Sequence, residues 1–210
     1  MKRIFFAVIT SLLFVFSLYP QNRISLEFTG GVISPIKSYD GLMGKIQVNY
    51  SYSNDNNLYA SFSYSSWAKN KVIIHDPDGQ TFNDVYSEDN HSLYSILIGN
   101  RMIFYRYKTF SVFNEFELGY QGLNYTRSFP QRIINPDGTI EYLTDYSLSQ
   151  NITENLLGLG VGLGIKNSIS TKVDLLISIK LNSYLNSSYN GLFGRTNSYF
   201  SFSGGFLFNI

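Results

Sequence analysis

The C-terminal stretch Ser198 to Ile210 places an apolar side chain at nearly every second position. Because successive side chains of a β-strand point to opposite faces, this spacing predicts a strand with one apolar face and one face of small or polar residues. Such a strand fits either a soluble sandwich with its apolar face inward or a closed barrel with that face toward lipid. The apolar face consists of Phe200, Phe202, Phe206, Phe208 and Ile210.

The N-terminus has the pattern of a secretory signal peptide. Two basic residues precede a nearly unbroken apolar run, Ile4 to Leu18, which is short for a spanning helix. We predict a signal peptide over residues 1–20, cleaved at a site within residues 17–20, followed by one barrel domain over residues 21–210 and no further domain. After residue 22 no apolar run approaches the length of a spanning helix, so a membrane-embedded form of the chain must be a closed barrel.

The same two-residue alternation recurs along the chain and predicts an all-β protein with eight strands. The fourth segment is apolar in both phases, and we predict that Tyr94, Ile96 and Ile98 point outward and Arg101 inward. The predicted fold is an eight-stranded antiparallel up-and-down transmembrane β-barrel. The eight segments are Arg23–Val32, Met43–Ser53, Leu58–Trp67, His91–Ile103, Phe110–Gln121, Leu157–Lys166, Lys172–Asn182 and Ser198–Ile210.

The connections between these segments alternate in length. Short connections follow the second, fourth and sixth segments, and long connections follow the third, fifth and seventh. Short turns at one end and long loops at the other are typical of a transmembrane barrel with both termini on the periplasmic side. The long connections are Ala68–Asn90, Gly122–Ile152 and Tyr184–Asn197.

The alternation that ends at Ile210 resembles the terminal signature of bacterial outer-membrane β-barrel proteins, which more often end in Phe. Over essentially the whole mature chain, the pattern of strands and loops resembles the small OmpA-type and OmpX-type barrels. This resemblance implies a location in the outer membrane of a Gram-negative bacterium. It also implies contact with outer-membrane lipid and lipopolysaccharide, and recognition by the barrel-assembly machinery.

The composition excludes several kinds of function. With no cysteine, the chain has no disulfide, thiolate metal site or lipid-modified cysteine. No cluster of Lys and Arg occurs in the body of the chain, so we expect no nucleic-acid partner. The two histidines, His75 and His91, are assigned to surface or loop positions, and adjacent His91 and Ser92 point to opposite faces of a strand. We therefore predict no catalytic residues, no metal and no cofactor.

Seven charged residues fall on the inward phase of the predicted strands. Because eight strands enclose a space that side chains just fill, we predict that these residues form a plug of opposite charges. A cation channel lined by the acidic residues is the alternative. The predicted polar cluster of the lumen is Glu27, Lys45, Arg101, Glu115, Glu117, Asp174 and Lys180.

Two loops contain similar segments, Val72–Gly79 and Arg132–Gly138, each ending in Pro-Asp-Gly. This tripeptide favours a reverse turn, so both segments predict hairpins that extend the barrel wall above the membrane. The alternative is that the two tips form a paired binding surface. The carboxylates near the turns are too few at fixed spacing to predict a calcium site.

These features predict a structural or interaction role, with the loops after strands three and five as contact sites for a protein partner. The first alternative is a narrow porin-like pore or small-solute carrier. Two further alternatives are a lipid-modifying outer-membrane enzyme and a secreted soluble β-sandwich. Strand pattern alone does not separate these functions, because one fold serves many of them.

Overall fold

The computed structural model describes residues 24–36, 38–185 and 198–210. The predicted signal peptide and most of the loop Tyr184–Asn197 lie outside the described residues. None of the described residues belongs to a helix long and apolar enough to cross a membrane. The described strands are β1 (Ile24–Pro35), β2 (Gly41–Ser51), β3 (Asn56–Trp67), β4 (Asn70–His75), β5 (Thr81–Tyr107), β6 (Phe110–Ile134), β7 (Ile140–Ser168), β8 (Val173–Tyr184) and β9 (Ser198–Asn209).

Eight of these strands form a closed antiparallel ring, which confirms the predicted barrel. The order around the ring is β1, β2, β3, β5, β6, β7, β8 and β9, and β4 pairs with the upper part of β5. The ring closes between β1 and β9, where Phe28 lies opposite Phe206 and Val32 lies opposite Phe202. Closure gives every strand of the ring a partner on both sides and leaves no open edge at this level.

The pairing register tilts the strands. A path that starts at Phe110 and steps from each residue to its paired residue on the next strand passes once around the ring. It returns to β6 at Tyr120, ten residues farther along the strand. A shift of ten residues around eight strands corresponds to a tilt of about 40° and a rise of about 2.5 Å per residue along the barrel axis. These values give every residue of the ring an approximate height above Phe110.

The outward face is a band of apolar side chains between two rows of tyrosines. Tyr64, Tyr94 and Tyr120 form the upper row, about 25 Å above a lower row that includes Tyr52 and Tyr107. This separation matches the apolar band of outer-membrane barrels, which tyrosine and tryptophan border on both sides. The predicted phase of the fourth segment is correct, because Tyr94, Ile96 and Ile98 are exposed outward and Arg101 is buried.

A row of glycines on β7 lines the inside of the barrel and makes room for long side chains. A Cβ atom on Gly160 would lie 2.7 Å from Cγ of Glu117, and one on Gly162 would lie 2.6 Å from Cγ of Lys180. Any larger residue at these two positions would therefore displace charged side chains that occupy the lumen.

Two hairpins rise above the ring, as predicted from the Pro-Asp-Gly segments. One is formed by β4 and the start of β5, and the other by the end of β6 and the start of β7. Their turns contain Gly79 and Gly138, with φ of 82° and 83°. Only glycine adopts this left-handed conformation without strain, so the repeated tripeptide shapes both tips.

Candidate functional site

The candidate site is a network of six charged side chains inside the barrel, and all six belong to the predicted polar cluster. Glu27 accepts contacts from Lys45 at 2.9 Å and from Arg101 at 2.7 Å. Arg101 also donates from Nε to Glu115 at 2.7 Å. Lys180 joins Glu115 to Glu117, with 2.7 Å to each. Three carboxylates and three cations thus alternate in one chain of contacts, which we call the lumen network.

All six residues of the lumen network are buried. A buried charge is tolerated only where opposite charges and hydrogen bonds replace the lost water. Neutral side chains supply the additional hydrogen bonds, since Tyr59 donates to Glu117 at 2.9 Å and Gln47 accepts from Lys45 at 2.8 Å. The predicted polar cluster does not include Tyr59 and Gln47. Both residues lie on the inward phase of their strands, β3 and β2, and this phase indicates that they face the lumen.

Asp174, the seventh residue of the predicted cluster, is buried but lies apart from the lumen network. Its partner is Lys166, at 3.4 Å. Asp174 lies about 4 Å above Phe110, whereas the lumen network spans heights of about 10 to 19 Å. Between the two lies a layer of buried apolar side chains at the end of the barrel with the short turns: Ile103, Phe113, Leu176 and Leu207.

A second apolar layer closes the opposite end of the lumen. His91 belongs to this layer, stacked between Trp67 at 4.8 Å and Tyr125 at 5.3 Å between ring centroids. The assignment of His91 to the surface is therefore wrong, whereas His75 is exposed as expected. Alternation places His91 on the same inward phase as Arg101, but its burial also requires β5 to continue beyond the predicted segment, as it does from Thr81. The buried cluster comprises Ile33, Trp67, Leu93, Leu123, Tyr125, Leu156, Tyr184 and Tyr199.

Little space remains between the two apolar layers. One internal cavity, of about 20 Å³, lies beside Lys45, Glu117 and Lys180 and is otherwise lined mainly by small serine side chains. A volume of this size holds about one water molecule. Around this cavity, buried side chains of the lumen network and of the two apolar layers occupy the inside of the ring.

The two hairpins above the ring are held together by charge and hydrogen bonds. Arg132 donates two hydrogen bonds to Asp76, at 2.7 and 3.1 Å, and Tyr142 donates a third at 2.7 Å. The ring of Tyr142 also packs edge-on against Phe82, with centroids 5.0 Å apart. The hydrogen bonds from Arg132 hold the pKa of the Asp76 carboxyl well below its usual range.

These contacts occupy the carboxylates that would be the first candidates for calcium ligands. Asp76 is buried and bonded to Arg132 and Tyr142, and Asp78 also contacts Arg132. Among the described residues, no group of three or more His, Cys, Asp or Glu side chains is arranged to hold a metal ion. The repeated hairpins contact each other through Arg132.

No protein-family model and no curated protein sequence matches the chain. The fold is similar to that of Neisserial surface protein A, with 13% identity and a TM-score of 0.58 over 89% of this chain and 97% of that chain. It is also similar to a major outer membrane protein from Thermus thermophilus, with 12% identity and a TM-score of 0.52 over 89% of this chain and 99% of that chain. These likenesses confirm the fold of a small outer-membrane barrel.

The lumen network predicts an unequal effect of two similar substitutions. Arg101→Met leaves Glu27 and Glu115 without their shared cation, so we expect a loss of about 3 to 5 kcal/mol in the free energy of unfolding. Lys166→Met removes the single contact with Asp174, near the end of the barrel with the short turns, and should cost about 1 to 2 kcal/mol. Urea titrations of both variants in lipid vesicles measure the two costs. Equal costs would contradict the assignment of Arg101 to the centre of the network.

The pairing of the hairpins predicts a dependence on acidic pH. Because the pKa of Asp76 is lowered in the folded protein, its contribution to stability is complete above the unfolded pKa of about 4 and is lost as the pH falls through the folded pKa. Spin labels on Gln80→Cys and Gln131→Cys should report a constant distance from pH 7 to pH 5 and a broad, longer one in strong acid.

Arg132→Gln should broaden the same distance distribution already at pH 7. The matched control is Arg106→Gln at the opposite end of the barrel, where the arginine contacts Asp55. Hairpins that stay together in the Arg132→Gln variant at every pH would show that another contact pairs them.

Proposed function

We propose that the protein is an integral outer-membrane barrel with a closed lumen, and that its function resides in the hairpins outside the membrane. The observation that carries this proposal is the filling of the lumen by two apolar layers with the lumen network between them. Passage of a solute would require the separation of buried ion pairs and the displacement of both layers. The narrow-pore alternative therefore has less support.

The outward band supports the membrane part of the proposal. Its exposed side chains include Phe62, Phe116 and Phe202, which in water would form an apolar surface around the whole ring. Contact with lipid acyl chains covers this surface, and lipopolysaccharide is the expected lipid of the outer leaflet. For assembly, we propose that the alternation of β9 is the feature read by the barrel-assembly machinery.

The hairpins supply the interaction part of the proposal. The β6–β7 hairpin exposes large apolar side chains far above the upper tyrosine row, where no lipid covers them. The Arg132–Asp76 contact holds both hairpins in one orientation, which lowers the entropy lost when a partner binds. The exposed apolar residues are Phe129, Ile134, Leu143, Tyr146 and Leu148.

The arrangement around His91 favours a packing role over catalysis. Its Nδ1 lies 2.7 Å from the carbonyl oxygen of Ala68, and both ring faces are covered by aromatic side chains. A general base must instead reach the substrate or a nucleophile. We therefore propose a non-enzymatic role.

The conductance of the folded protein in a planar bilayer tests the closed lumen. Because the lumen network and both apolar layers block the axis, we expect no stable current steps at moderate applied voltage. A shift in gel mobility between boiled and unboiled samples shows that the tested protein is folded. Current steps of uniform size from the folded sample would overturn the proposal and favour the pore.

A further inference from the structure

Two asparagines interrupt the apolar band on the outside of the barrel. Asn100 on β5 and Asn114 on β6 lie about 12 and 10 Å above Phe110, near the middle of a band about 25 Å tall. Both side chains are partly exposed. Among the described strands, all the remaining outward residues at this depth are aliphatic, aromatic or glycine. The two amides therefore stand out as polar groups where only acyl chains are expected.

The amides are close neighbours on the barrel wall. Asn100 pairs with Phe116, and Asn114 pairs with Met102, so the asparagines are diagonal neighbours across β5 and β6. Diagonal neighbours on one face of a sheet lie within about 8 Å. Both amides line a groove of about 600 Å³ together with Met102, Phe116 and outward residues of β7, β8 and β9. Glu115 and Lys180 also border this groove, but their side chains are buried and paired with each other in the lumen network.

The hydrogen-bonding capacity of this pair is only partly used. Asn100 donates from Nδ2 to the hydroxyl of Tyr52 at 2.6 Å. The side chain of Asn114 makes no hydrogen bond within the described residues. A primary amide without a partner in hydrocarbon is unfavourable, since lipid tails neither donate nor accept hydrogen bonds. Headgroups lie about 10 Å away at either border of the band.

The partner that fits best is a second copy of this chain. An amide is both donor and acceptor, so with a two-fold axis between β5 and β6, Asn114 of each copy can pair with Asn100 of the other. The same axis brings together two apolar, uncharged faces, with no repulsion between like charges. Polar side chains that bond across such an interface stabilise association within membranes.

We propose that the outward face of β5 and β6 is a homodimer interface, with amide-to-amide hydrogen bonds at Asn114 and Asn100 in the middle of the membrane. This inference concerns the lipid-facing wall and is independent of the state of the lumen. The alternatives to a second copy at this face are lipid alone and an unrelated membrane protein.

Energy transfer between labelled copies in phospholipid vesicles tests the interface. The chain has no cysteine, so Thr109→Cys in the β5–β6 turn, which is exposed, accepts a single donor or acceptor dye. Transfer should rise with the mole fraction of protein in the vesicle and fall when unlabelled copies compete. In the double variant Asn100→Leu and Asn114→Leu, association should weaken by about tenfold or more.

Two controls separate the interface from general effects. Phe28→Leu, on the opposite side of the ring, should leave association unchanged, and Asn114→Gln should retain much of it because the amide remains. Heat-dependent gel mobility verifies that each variant is folded. Energy transfer no greater than that of randomly distributed copies, or equal association of the double leucine variant, would overturn the proposal.

Discussion

The pairing of β1 with β9 is the contact on which the rest of the structure depends. Within a bilayer no water satisfies an open strand edge, so a spanning sheet must close on itself. Eleven residue pairs, from Ser25 opposite Asn209 to Pro35 opposite Tyr199, make this closure. The register of the whole ring then sets the tilt, and the tilt sets the height of each side chain along the axis.

The height of each inward side chain determines the contents of the lumen. At intermediate heights, the glycines of β7 face the long side chains of β6 and β8, and the lumen network fills the space. Apolar side chains occupy the heights above and below. The charges are thereby sealed from water at both ends, which strengthens each ion pair and raises the cost of removing one partner.

The sequence predicts those parts of the structure that depend on a period of two. The strand segments, the outward phase of Tyr94, Ile96 and Ile98 and the inward phase of Arg101 all follow from alternation. Contacts between distant strands depend on the register, which alternation does not encode. For this reason alternation alone groups Asp174 with the lumen network, although it contacts Lys166 below the apolar layer that contains Phe113. The burial of His91 does not follow from the predicted segment His91–Ile103, because β5 extends beyond that segment to Thr81.

The most direct test of this account is the detection of contacts between β1 and β9 by nuclear magnetic resonance in detergent micelles. The account predicts nuclear Overhauser effects between backbone protons of residues paired across the closure, including Gly30 with Gly204 and Val32 with Phe202. It also predicts slow amide exchange along both strands. The absence of these effects, together with rapid exchange along one edge of β1 or β9, would contradict the closed ring.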